Sequence, residues 1–148
     1  MRAFLCHRHD HSDYVIEVAK YLRLCLDEGV FYYEERAADN FVRQLNEELG
    51  RCNVMIVFAE AQLTPWQEEE VTSAIAIGGK KIILCAFVEI KDLPQELNLL
   101  KTKPIIKSHS LTPRKTAKEI TRLLGIPFLD VGLPSNPHIF SYEKDIID

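Results

Sequence analysis

The sequence predicts an α/β fold, doubly wound around a five-stranded parallel sheet. Three observations carry that prediction. Short apolar runs alternate with longer amphipathic stretches, the rhythm of strand–helix–strand units. Two of the runs, residues 54–58 and 82–88, show no polar alternation, as expected of strands covered on both faces. Helix-starting pairs, Thr64-Pro65 and Thr112-Pro113, fall where the rhythm changes from strand to helix.

The elements follow in order. Strand one is residues 3–7, and a helix begins near Ser12 with Val15, Val18, Ala19, Leu22 and Leu26 at helical spacing. Gly29 supplies a stop, and strand two takes residues 30–33. A polar loop, residues 34–40, ends in a helix cap, and the next helix carries Val42, Leu45, Leu49 and Cys52 on one face. Strand three is residues 54–58. Thr64, Pro65 and Gln67 then form a capping box, with Val71, Ala74 and Ile75 as the inner stripe and Gly78-Gly79 as the end. Strand four is residues 82–88. Asp92-Leu93-Pro94-Gln95 reads as a second capping box opening a short helix, before strand five at 104–107. The last helix opens at Thr112-Pro113, turns Ala117, Ile120 and Leu124 inward, and stops at Gly125.

Beyond Gly125 the period is lost. Residues 126–148 hold Pro127, Pro134 and Pro137 and read as a tail or linker that could lead into a further domain. Phe128, Leu129, Ile139 and Phe140 give that segment apolar groups able to pack. The predicted domain is therefore 1–125, and the strands suggest a flavodoxin-like sheet of order 2-1-3-4-5 with helices on both faces.

Composition narrows the function classes. The 148 residues are 47% hydrophobic, ordinary for one globular domain. No apolar run approaches the ~20 residues that span a bilayer, and the N-terminus turns charged too soon for a secretory signal, so a cytoplasmic location without membrane contact is the default. Net charge is −4 with both signs interspersed, so a nucleic-acid surface is not expected. The four cysteines, Cys6, Cys25, Cys52 and Cys85, lack Cys-x-x-Cys spacing and read as small buried hydrophobes.

In a doubly wound sheet, ligands bind beyond the carboxyl ends of the strands, where the winding direction reverses. Here the reversal falls between strands one and three. That places His7, Arg8, His9 and Asp10 opposite Ala59, Glu60 and the helix bearing Trp66 and Glu70.

These residues also carry a resemblance. Phe4-Leu5-Cys6-His7-Arg8-His9-Asp10 resembles the opening strand of TIR (Toll/interleukin-1 receptor) domains, commonly Phe-Ile-Ser-Tyr followed by polar or basic residues and an acid. Val30-Phe31, with Phe41 and Leu45 downstream, resembles the second strand, BB loop and following helix. The run from Trp66 to Glu70, continued by Val71-Thr72-Ser73-Ala74-Ile75, resembles the Trp-x-x-x-Glu signature. The likeness covers nearly all of residues 3–125 and is closer to the NAD⁺-cleaving group than to receptor adaptors, because the acid stands in frame. There are departures: Tyr33 precedes the acid Glu34, the loop lacks the usual Gly or Pro, His7 replaces an aromatic, and Thr64-Pro65 replaces a more usual Ser-x.

The resemblance implies an NAD⁺ glycohydrolase that yields nicotinamide and ADP-ribose or a cyclic ADP-ribose product. It implies activation by self-association in immune or cell-death signalling. Glu70 would be the catalytic residue, and His7, Arg8, His9, Tyr33, Ala59 and Trp66 would contact substrate. The BB loop, Glu34, Glu35, Arg36, Ala37, Ala38, Asp39, Asn40 and Phe41, would touch a neighbouring protomer. NAD⁺ enters as substrate, with no separate cofactor. No metal is expected, because His7, His9 and His11 are followed by no further ligand at metal spacing.

The chemistry suits one carboxylate. Nicotinamide leaves a cationic ring as a neutral molecule, so the second, acidic carboxyl of an ordinary glycosidase is dispensable. An acidic triplet in a first helical turn is also favoured by the helix dipole alone. Helical geometry nevertheless sets Glu70 on the face of Trp66 and Ala74, while Glu68 and Glu69 point elsewhere. Trp66 has two open readings, a stacking surface for ligand or a core anchor. Arg8 could grip a pyrophosphate or be a solvated charge. Three other functions compete. One is a non-enzymatic TIR scaffold. Another is a response-regulator receiver, disfavoured because His7-Arg8 and Phe58-Ala59 stand where acids are needed. The third is a deoxyribosyltransferase-like enzyme.

Overall fold

The computed structural model describes residues 1–32 and 41–130. Five parallel strands form one sheet of order β2-β1-β3-β4-β5: β1 Ala3–Cys6, β2 Val30–Phe31, β3 Val54–Ala59, β4 Lys81–Ala86 and β5 Ile105–Ile106. All four strand pairings are parallel, with Cys6 beside Val57 and Ala59 beside Ala86 at the carboxyl ends. The predicted topology is the observed one.

Strand alternation sorts the core into two halves. Ala3, Leu5, Ile56 and Phe58 face α1 (Ser12–Cys25) and α4 (Pro113–Leu124), packing on Val15, Leu22, Ala117 and Ile120. Phe4, Cys6, Val57 and Ala59 face α2 (Phe41–Arg51) and α3 (Pro65–Ile77), packing on Leu45, Leu49, Val71 and Ala74. Cys6, Cys52 and Cys85 are buried and Cys25 is half-buried, and none of the four is in a disulfide.

Several expectations are corrected. Ile75 is 50% exposed, because the inner stripe of α3 runs through Gln67, Glu70, Val71 and Ala74. One residue past Ala74 turns the chain about 100° away from the core. The helix foreseen at Asp92 is instead two short 3₁₀ segments, Ile90–Asp92 and Gln95–Leu100, with no side-chain cap at either. Pro94 holds extended backbone between them and restricts Leu93 to the same region, so Asp92 closes one turn rather than opening the next. Gly29, at φ +93°, forms the turn into β2, whereas α1 has already ended at Cys25.

Gly125 does end α4 as expected, in left-handed backbone at φ 72°. The next residues then turn back onto the domain. Ile126 and Phe128 pack against the α1–α4 half of the core. The Arg114 guanidinium lies 5.4 Å over the Phe128 ring and donates to Asp130 Oδ2 at 2.7 and 2.9 Å. The Leu129 N–H donates to Cys25 Sγ at 3.2 Å. The segment with apolar groups able to pack thus does so from its first residues; residues 131–148 lie outside the described residues.

Candidate functional site

The site is built where α3 starts against the carboxyl ends of β1 and β3. Thr64 accepts the Gln67 backbone N–H at 3.2 Å, and Gln67 Oε1 accepts the Thr64 N–H at 3.1 Å, closing the capping box. Gln67 uses its other amide atom as well: Nε2 donates to the Phe58 carbonyl of β3 at 2.7 Å, fully buried. A glutamate would close the same box but would set its carboxylate against that carbonyl. Glutamine therefore pins the helix to the sheet and satisfies both ends of its amide.

One turn later stands Glu70, 5% exposed. Its partner comes from β1. Because Cys6 follows Leu5, alternation turns its side chain to the α3 face, where the thiol neighbours the Glu70 carboxyl. The Cys6 Sγ also lies 3.9 Å from the Gln67 carbonyl oxygen. Burial pushes the Glu70 carboxyl up from 4.5 to about 8, and the Cys6 contact offsets only part of that rise. The Cys6 thiol is itself pushed upward by burial and by the nearby acid, so it stays a thiol donor. Glu68 and Glu69 are exposed, as the helical geometry required.

His7 is placed differently from Cys6. It is 9% exposed and sits toward α1, with Nε2 3.3 Å from Ser12 Oγ and its ring edge-on to Tyr32 at 5.7 Å. Burial, reinforced by the neighbouring His11 and His9, lowers its pKa from 6.5 to about 4. A histidine with a depressed folded value is stabilising above 6.5, and that contribution is lost as pH falls through 4. His7→Asn should accordingly remove up to ~1.4 kcal/mol per pH unit of upward slope from urea-denaturation stability between those values. A slope unchanged by the substitution would contradict the burial argument.

Arg8 and His11 form a charged cluster with Glu60, the residue after β3. Glu60 Oε2 is 3.5 Å from Arg8 Nη1 and 3.2 Å from His11 Nε2, and Asp10 Oδ2 is 3.4 Å from Arg8 Nη2. The His11 ring packs on Phe87 with centroids 4.3 Å apart, and Phe87 is held by its N–H to the Ala59 carbonyl at 2.9 Å. Among the described residues no group of three His, Cys, Asp or Glu side chains is arranged to hold a metal.

The structure places Arg8 just after β1, Ala59 at the end of β3 and Glu70 on α3 near the β1 residue Cys6, with Trp66 half-buried on the α2–α3 half of the core. His9 is exposed on the 3₁₀ turn before α1. Tyr33 and the loop Glu34, Glu35, Arg36, Ala37, Ala38, Asp39 and Asn40 lie outside the described residues; Phe41 opens α2. Sequence reasoning passed over Cys6 and the second role of Gln67. Strand alternation was the available signal for the first; nothing local signalled the second.

The family model for the TIR domain matches residues 3–124. The chain is a TIR domain. No curated protein matches it. The match spans the sheet and all four helices, and it covers Trp66, Glu70 and the β1 end. TIR domains are signalling modules that generally self-associate through TIR–TIR contacts. Among the described residues, no helix of this TIR domain is long and apolar enough to cross a membrane.

Proposed function

We propose that this TIR domain cleaves NAD⁺ at the nicotinamide–ribose bond, with Glu70 as the catalytic residue. One observation carries the reading: an acid buried near the carboxyl end of β1, on a helix pinned to the sheet, with the Cys6 thiol as its neighbour. A carboxyl raised to about 8 is mostly protonated at pH 7 while the site lacks substrate. The positive charge of the nicotinamide ring favours the carboxylate and so drives the proton off as substrate binds. The same low-dielectric surroundings that made the empty site costly then strengthen attraction to the ribosyl cation.

The electron pair of the breaking C–N bond stays on nicotinamide, which departs neutral. Glu70 holds the ribose hydroxyls and stabilises the positive charge left on the sugar. Water then forms the new C–O bond and gives up a proton, yielding ADP-ribose; capture by an adenine nitrogen would instead give a cyclic product. Arg8 supplies positive charge for the pyrophosphate, and the half-buried Trp66 contacts the substrate.

Incubating the purified chain with NAD⁺ and measuring free nicotinamide tests this directly. Self-association through the loop before α2 should make activity per molecule fall on dilution. A purified chain that releases no nicotinamide at any concentration would leave the signalling role without the enzyme. Activity per molecule that stays flat across the dilution series would remove the dependence on assembly.

A further inference from the structure

We propose that Glu60 is an internal counter-ion which occupies Arg8 and His11 until the diphosphate of a nucleotide displaces it. This rests on the reading that Arg8 faces the substrate's pyrophosphate. Arg8 and Glu60 follow β1 and β3, the two strands that flank the reversal of winding, so their side chains meet at the ligand-binding edge.

The contacts of Arg8 are loose. Its guanidinium reaches Glu60 at 3.5 Å and Asp10 at 3.4 Å, both longer than a good charge-assisted hydrogen bond. Its Nε is buried with no acceptor. An arginine with five donors, 27% exposed and held this loosely, is a cation whose best acceptor has yet to arrive. Asp10 is 70% exposed, so water screens its share of the pairing. Glu60 is the stronger tether because one oxygen bridges both Arg8 and His11.

His11 completes the device. Its ring is fixed against Phe87, and burial lowers its pKa, which favours the neutral ring donating Nε2–H to Glu60. When Glu60 leaves, the guanidinium edge and the imidazole N–H are freed together. Two donors of that kind suit the adjacent phosphoryl oxygens of a nucleoside diphosphate. Glu60 thereby lowers affinity for diphosphates, and neutralising it should raise that affinity.

The test is calorimetric binding of ADP and of adenosine to the full chain. The wild type is compared with Glu60→Gln, Arg8→Gln and the double variant, with Glu60→Ala as a second form should the first fold poorly. ADP should bind Glu60→Gln about fivefold more tightly than the wild type. Arg8→Gln should weaken ADP and abolish the gain in the double variant, and adenosine should respond to none of these changes. Equal or weaker ADP binding by both Glu60 variants, an equal gain for adenosine, or no ADP binding by any form would overturn the proposal. ADP has no nicotinamide bond to cleave, so the outcome is independent of turnover. A Glu60 effect on ADP without nicotinamide release would sink the catalytic reading alone, and the reverse pattern would sink this one.

Discussion

Glu70→Gln is expected to stabilise the fold by about 3 kcal/mol at pH 7, with a gain that widens as pH rises. The carboxyl titrates near 8 in the folded chain against an ordinary 4.5. A carboxyl with a raised folded value contributes fully below 4.5 and loses that contribution as pH climbs through 8, because the unfolded chain ionises freely while the buried site resists. Glutamine never ionises, so the two proteins should be alike near pH 4 and differ by ~5 kcal/mol above pH 9. In thermal unfolding the pH 7 difference corresponds to roughly 10 °C. Urea denaturation at pH 4, 7 and 8.5 reads the effect, and matched midpoints at all three would mean that the acid carries no burial cost. Between 4.5 and 6.5 the wild type has a second signature. There the proton Glu70 releases on unfolding is offset by the one His7 takes up, so these two groups leave stability nearly flat with pH.

The same substitution is expected to lower nicotinamide release by about 10³-fold, since an uncharged amide cannot stabilise a developing cation as a carboxylate does. The wild-type pH profile should locate the group. In kcat/KM, which reports the free enzyme, activity should rise with pH through a midpoint near 8 towards a plateau at higher pH. In kcat the limb should move to lower pH, because the bound cationic ring has already favoured the carboxylate. Glu70→Gln should lose that limb altogether. Residual turnover within a few-fold of the wild type, or a profile without a limb near 8, would assign the chemistry elsewhere. The two effects have opposite signs: a better-folded protein should be the inactive one, so lost activity cannot be blamed on lost structure.

The strand order and nearly all element positions were legible because they rest on period and punctuation. Residues 54–58 could only be a covered strand, and Thr64-Pro65-Gln67 could hardly be anything but a helix start. What misled was the assumption that apolar means inward. In α3 the inward positions include Gln67 and Glu70 while Ile75 and Ile77 are exposed, so the hydrophobic pattern pointed at the wrong side of the stripe. That inversion is itself characteristic of a functional helix, where local rules give way to chemistry. At the candidate site, helical spacing set Glu70 beside Trp66 and Ala74, but the thiol near its carboxyl arrives from sixty-four positions earlier in the chain. No window around Trp66 contains Cys6, and only the sheet register joins them. Glu60 was placed at the right edge by topology, yet its hold on Arg8 and His11 depends on side-chain reach that sequence spacing cannot supply.

The double use of the Gln67 amide has a mechanical consequence. A hook on β3 and an acid one turn further along the same helix form a single lever with its fulcrum at the sheet. Sliding that lever would break a buried hydrogen bond from the Gln67 amide before the acid travelled far. Under the proposed function, a switch in activity is therefore expected to work on what surrounds the carboxyl and leave its address unchanged.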